Sequence, residues 1–217
     1  MELIDQKLRL LHSTIQLTCG NMLSEYPEQQ LAMKYINENS KVLEIGSNIG
    51  LNSIIISKIL NDDKNLVTLE CDLTHIDNLT SNRNINSLNF NIEPSALSSI
   101  PLARRGWHTF PITDNIIPEN CIKVNTITYE DLVKKYNISF DTIVADCEGA
   151  LFYILKDMPY ILNNINLIIV ENDYISLDHK LFVDKILFEY NFKSIYSSPG
   201  GFENSPCHNC FYEVYSK

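Results

Sequence analysis

Asp146 and Glu148 flank a cysteine in "DTIVADCEGALF", where an apolar run stops and a glycine follows. A carboxylate so placed can accept the proton of a hydroxyl whose oxygen attacks an electrophilic carbon. If the chain stays extended there, period-two alternation puts both carboxylates on one side. Much earlier, "KVLEIGSNIGLNSIIIS" sets Gly46 and Gly50 around Asn48, with an apolar run on either side. Glycine allows positive φ and close backbone approach to a ligand, and Asn tolerates the left-handed region well. Glu70 closes the next apolar run, "NLVTLE", twenty positions beyond Gly50. A carboxylate at that distance can accept ribose hydroxyls, so turn and carboxylate together point to an adenosine-bearing cofactor.

The turn reads G-x-x-x-G and lacks the middle glycine of G-x-G-x-x-G, the fingerprint that brings a pyrophosphate to a helix N-terminus. Glu44 precedes the turn, and a carboxylate there suits an ammonium better than a pyrophosphate. S-adenosylmethionine carries adenosine and an ammonium without phosphate, and it is the expected cofactor. Its expected contacts are Glu44, Gly46, Ser47, Asn48, Gly50 and Glu70.

The elements that must hold these residues alternate in type. Strands are predicted at 41–45, 66–69, 89–93, 122–126, 142–145 and 166–170, and helices at 51–60, 73–86, 129–136, 151–162 and 180–190. Thr128 or a neighbour caps the third of these helices, and the fourth bends near Pro159. Runs at 193–196 and 211–215 read as two closing strands without a helix between them. This alternation predicts a Rossmann-like three-layer α/β sandwich: a mostly parallel sheet with helices on both faces and an antiparallel C-terminal strand. Ligands of such sheets bind outside the carboxyl ends of the strands, where all the candidate residues fall. Residues 1–39 read as a helical segment that packs on the core or covers the site, and residues 40–217 as the catalytic domain.

"VLEIGSNIG" resembles the first motif of class I methyltransferases, and its G-S-N-I-G form resembles the G-A-N-x-G turn of the FkbM family. "LECD" stands at that family's second-strand "fEP", with Cys71 in place of Pro. "EPSALSS" (93–99) resembles the stretch that flanks adenine, which implies Ser95, Ala96 and Leu97 at the base. "VNTITYEDLVKKYNISFDTIVADCEGALFYILKDM" resembles the family's D-x-E-G segment, and "LIIVEN" its later "ilvE". The match spans residues 40–173, with two departures: Tyr129 replaces a Leu, and Leu151 stands where the family usually has Glu. The resemblance implies methyl transfer from S-adenosylmethionine to oxygen of a small molecule or sugar hydroxyl. Asp146 and Glu148 would face the acceptor, and Asp146 would also touch the cofactor. Positioning of the acceptor oxygen should supply most of the acceleration.

Two other functions stay open: a non-catalytic module that keeps the cofactor site, which Leu151 makes possible, and a nicotinamide-dependent oxidoreductase. The missing middle glycine and the D-x-E-G segment count against the second. Asp146, Glu171 and Asn172 resemble the divalent-ion set of catechol-type O-methyltransferases; hard oxygen ligands of this kind suit Mg²⁺. A metal is possible there but not expected.

With 27 acidic against 17 basic residues the net charge is −10, which disfavours nucleic acid and anionic membrane surfaces as partners. No signal peptide is evident, and six cysteines in a chain of 217 residues do not require a disulfide framework. A cytoplasmic location is expected, while the oligomeric state is left open. "SPCHNCF" brings Cys207, His208 and Cys210 together, but a structural zinc needs four ligands, so a plain loop is expected. "ARRGWHTF" (103–110) reads as a loop-like insertion holding the single Trp. It is either an ordinary solvated loop or a wall of the acceptor pocket, in which Arg104 or Arg105 would meet an acidic substrate.

Overall fold

The computed structural model describes residues 2–113 and 116–217. Its elements run α1 (Glu2–His12), α2 (Tyr26–Tyr35), β1 (Val42–Ile45), α3 (Leu51–Ile59), β2 (Leu66–Leu69), α4 (Leu73–Ile85) and β3 (Asn91–Glu93). After them come β4 (Ala96–Leu97), β5 (Leu102–Arg105), β6 (His108–Pro111), β7 (Ile122–Val124), β8 (Thr126–Ile127) and α5 (Tyr129–Tyr136). The chain closes with β9 (Thr142–Ala145), α6 (Leu151–Asp157), β10 (Leu167–Glu171), α7 (Leu177–Glu189), β11 (Lys193–Ser198) and β12 (Tyr212–Ser216).

Seven strands form the central sheet in the order β11-β12-β10-β9-β1-β2-β3. β1 pairs in parallel with β2 and with β9, so the strand order reverses between β1 and β9. That reversal opens a crevice at the carboxyl ends of the strands. The antiparallel strand is β12, inserted between β10 and β11 and antiparallel to both.

Every residue of β1, β2 and β9 is buried, as expected of parallel strands covered on both faces. Val42 points toward α2 and α3, where it packs with Leu31, Ala32 and Ile56. Leu43 and Ile45 point the other way, into a core completed by Leu132, Leu155 and Leu187 of α5, α6 and α7. The N-terminal segment belongs to the first of these layers. α2 lies beside α3, and Leu8 of α1 packs with Met22, Leu51 and Ile55.

Four local expectations need correction. Residues 103–110 form no loop but most of the β5–β6 hairpin, which joins β7 in a separate antiparallel sheet. The single strand expected at 122–126 is two short ones, β7 on β5 and β8 on β4. Of β7 only Val124 is buried, so the run lacks the apolar faces that a central strand needs. The helix expected to run to residue 162 ends at Asp157 and continues as a 3₁₀ turn over Pro159–Asn163, because a proline nitrogen cannot donate to the helical ladder. α7 starts at Leu177, earlier than expected. Ser176 accepts from the Asp178 N–H and caps it, a signal that apolar spacing misses because Leu177 is exposed. Among the described residues, no helix is long and apolar enough to cross a membrane.

Candidate active site

The glycine turn crosses the end of β9 at van der Waals distance. Gly46 has φ +87°, and a Cβ on it would lie 1.7 Å from the carbonyl oxygen of Asp146, so no other residue fits. The Gly46 and Ser47 N–H groups donate to the Leu69 carbonyl at 3.0 and 3.1 Å. Asn48 takes the left-handed conformation, φ +49°, and its N–H donates to Glu70 Oε2 at 2.7 Å. Glu70 Oε1 accepts from the Asp72 N–H at 2.6 Å, so this carboxylate fastens both the turn and the start of α4. Burial raises the Glu70 pKa, against the lowering effect of the Asp72 and Asn48 N–H groups.

These groups border a cavity of about 210 Å³ at the reversal of strand order. Gly46, Asn48 and Glu70 line it from the turn side, Ser95, Ala96 and Leu97 from the β4 side, and Asp146 and Glu148 from the end of β9. Glu44, Ser47 and Gly50 are not on its wall. Glu44 points beneath the turn, 2% exposed, where it accepts hydrogen bonds from the hydroxyls of Ser53 and Thr68. Burial pushes its pKa up to about 7, while the two hydroxyls work in the opposite direction. Ser47 turns its hydroxyl toward the Leu69 carbonyl, and Gly50 packs against Leu79.

The chain does not stay extended through the D-C-E-G segment. β9 ends at Ala145, and Glu148 and Gly149 both take positive φ, +53° and +78°. Asp146 and Glu148 nevertheless share the cavity wall. Burial raises the pKa of each; the charges of Glu28, Glu25, Asp173 and Glu148 add to the effect on Asp146, and that of Asp173 to the effect on Glu148. A carboxylate held in this way is a stronger base than one in water. Leu151, where the resemblance expects a carboxylate, is 1% exposed and faces the core of α5–α7 rather than the cavity.

The β5–β6 hairpin roofs the cavity with Arg104, Trp107 and Thr109, which is the pocket-wall alternative for residues 103–110. Arg104 pairs with Asp72 at 2.9 Å, which ties the roof to the N-terminus of α4, and Trp107 stacks on His75 with ring centroids 5.5 Å apart. A sequence signal did exist: two β-type runs around the two-residue Gly106-Trp107 connection, with Gly106 at φ +59°. A second cavity of about 260 Å³ adjoins the first through Thr109, Glu148 and Tyr153, and Arg105, His108 and His179 also line it. His108 Nδ1 lies 3.3 Å from the Glu148 carbonyl oxygen.

The structure brings Asp146 and Glu171 together, but the third carboxylate beside them is Glu28 of α2. Asn172 instead donates to the Cys210 carbonyl at 2.6 Å and to Glu213 at 2.9 Å. Burial, a hydrogen bond to Glu28 and the charge of Asp146 all raise the Glu171 pKa. Cys207 is buried, and His208 Nδ1 lies 2.8 Å from the Gly200 carbonyl oxygen. Among the described residues, Glu28, Asp146 and Glu171 form the one His/Cys/Asp/Glu group with ligand spacing; "SPCHNCF" carries a 3₁₀ turn over His208–Cys210.

No protein-family model and no curated protein matches the sequence. Solved structures do match in fold. An O-methyltransferase from Bacillus cereus, solved in complex with SAH, aligns over 100% of this chain and 91% of its own, with TM-score 0.53 and 15% identity. A candidate O-methyltransferase from Klebsiella pneumoniae covers 98% of this chain and 88% of its own, with TM-score 0.52 and 15% identity. A candidate tRNA methyltransferase from Streptococcus pneumoniae, in complex with S-adenosyl-L-methionine, covers 88% and 72%, with TM-score 0.51 and 14% identity. The fold is that of the class I, S-adenosylmethionine-dependent methyltransferases.

Proposed function

We propose that the chain is an S-adenosylmethionine-dependent methyltransferase directed to oxygen of a small molecule or sugar hydroxyl. One observation carries this: the glycine turn, the doubly fastened Glu70 and the D-x-E-G carboxylates border one cavity at the switch in strand order. The residues fit the cofactor chemically. Gly46 leaves its backbone uncovered, Glu70 keeps lone pairs for ribose hydroxyls, and Ser95, Ala96 and Leu97 form a flat, mostly apolar strip suited to adenine. Asp146 adds negative charge beside the turn, suited to an ammonium. When bound, the cofactor supplies a methyl group on a sulfonium.

The chain's own task is then to place an acceptor oxygen and take its proton. Asp146 stands on the wall of the first cavity and Glu148 where the first passes into the second, and either carboxylate can hold a hydroxyl by accepting its hydrogen. Motif resemblance to the FkbM family and the two O-methyltransferase folds support oxygen as the target. The carboxylates of Glu70, Asp72, Asp146 and Glu148 on the cavity wall and a net charge of −10 favour a small acceptor over a polyanion, although one similar fold belongs to a candidate tRNA enzyme. A cytoplasmic setting accords with this reading.

Thermal unfolding with S-adenosylmethionine, S-adenosylhomocysteine and NAD tests the cofactor before any acceptor is known. Ligand at about 100 times its dissociation constant adds roughly 2.7 kcal/mol, or about 5–10 °C for a chain of this size. A shift with the two sulfur compounds supports the proposal, and a shift with NAD alone, or none, overturns it. Given a shift, a methyl-transfer screen over hydroxyl acceptors separates an enzyme from a cofactor-binding module.

A further inference from the structure

The second cavity has walls unlike those of the first. Arg105 and His108 are cross-strand partners in the β5–β6 register, and Phe110 follows His108 by two positions, so the three share one face of the hairpin. Arg104 and Thr109, also partners, occupy the other face, toward the first cavity. Across the second cavity stand Tyr153 of α6, Ile175 and His179 of α7. His179 is held flat against Phe152, with ring centroids 3.7 Å apart. Only Thr109, Glu148 and Tyr153 also border the first cavity, so Arg105, His108 and His179 lie away from it.

The two adjacent arginines therefore differ in what they can do. Arg104 is held by Asp72. Among the described residues, Arg105 pairs with no carboxylate and donates only to the Glu119 carbonyl, at 3.3 Å. A guanidinium stays charged and offers five N–H donors in a planar fork that matches a carboxylate. Burial lowers the His179 pKa, which leaves that ring to exchange hydrogen bonds rather than to carry charge.

We infer that the second cavity binds the methyl acceptor as a small hydroxy acid whose carboxylate is taken by Arg105. Phe110, Tyr153 and Ile175 enclose its apolar body, and its hydroxyl lies at the Glu148 end, where the two cavities meet. Glu148 and the nearby Asp173 bring negative charge to that end, so a singly charged carboxylate fits better than a phosphate dianion. The acceptor role rests on the methyltransferase reading; recognition of the acid by Arg105 does not.

The test is calorimetric titration of the full chain near neutral pH, alone and with S-adenosylhomocysteine, using three acids and their primary amides. Mandelate, 3-hydroxybenzoate and 3-hydroxybutyrate are set against mandelamide, 3-hydroxybenzamide and 3-hydroxybutyramide. At least one acid should bind about tenfold or more tightly than its amide. Arg105→Gln should remove that preference and leave the amide affinity as it was. Arg105→Lys, which keeps the charge but not the fork, should fall between. Lys123→Gln removes the same charge from an exposed position of β7 and should leave the preference intact. Equal affinity for acid and amide, a preference that survives Arg105→Gln, or no acid binding below about 10 mM would overturn the site. Each of these holds whether or not S-adenosylhomocysteine raises the unfolding temperature. An Arg105-dependent preference without any such rise would support the pocket and remove only its link to methyl transfer.

Discussion

The Glu70 carboxylate accepts the backbone N–H of Asn48 at 2.7 Å, so the end of β2 holds the glycine turn of β1 in its left-handed conformation. Its other oxygen is taken by the Asp72 N–H, and the same side chain faces the cavity. Glu70→Ala should therefore lower stability by roughly 1–3 kcal/mol through two unpaired N–H groups. It should also abolish the thermal shift given by S-adenosylhomocysteine. Glu70→Gln retains only one acceptor oxygen and should fall between the two. Calorimetric titration checks the order; affinity unchanged in the Ala variant would remove Glu70 from the cofactor site.

Gly46→Ala should be among the most damaging single changes. Its methyl group would overlap the Asp146 carbonyl, and φ +87° strains any side chain. A loss of about 3 kcal/mol or more is expected in urea unfolding. Gly106→Ala, at a hairpin tip with open space around it, should cost only about 1 kcal/mol and calibrates the comparison.

Glu44 should make stability fall as pH rises. Its folded pKa, about 7, lies above the ordinary value of 4.5 that applies to the unfolded chain, so between those values the folded state binds more protons. The stability it contributes is complete below pH 4.5 and is lost as pH rises through 7, at up to about 1.4 kcal/mol per pH unit. Glu44→Gln keeps most of the shape but does not titrate. Urea midpoints at pH 5 and pH 7.5 should differ less for the variant than for the parent; equal differences would refute this assignment.

The Arg104–Asp72 pair closes the roof over the cavity and is mostly shielded, with side-chain exposures of 16% and 13%. Arg104→Ala should weaken cofactor binding by about 1–2 kcal/mol, some 5- to 30-fold, with a smaller effect on global stability. A double-mutant cycle with Asp72→Asn should show strong coupling in cofactor affinity.

Leu151→Glu would restore the carboxylate of the resembled family. Because Leu151 is buried in the α5–α7 core, the change should cost roughly 3 kcal/mol or more and bring no gain in methyl transfer. Thermal unfolding together with single-turnover assays separates the two effects.

Local patterns in the sequence carried the alternation of strands and helices, the Thr128 cap, the left-handed Asn48 and the placement of Glu70, Asp146 and Glu148 at strand ends. Each depends on residues within a few positions, where backbone preference, capping and apolar periodicity act directly. Other features arise between segments far apart in the chain and leave no local trace. Asn125 splits the strand expected at 122–126, because its two halves pair with different partners. Glu44 looked like a cofactor contact from its position beside the turn, but the pleat of β1 sends it under Ser53 and Thr68. Arg104 met Asp72, and Glu28 met Asp146 and Glu171, only because the hairpin folds over the sheet and α2 packs on one of its faces. The sequence alone thus determined the scaffold and the cavity's strand-end residues, whereas tertiary packing decided the roof, the braces and the convergence of charge, since desolvation and ion pairing depend on distance in space rather than along the chain.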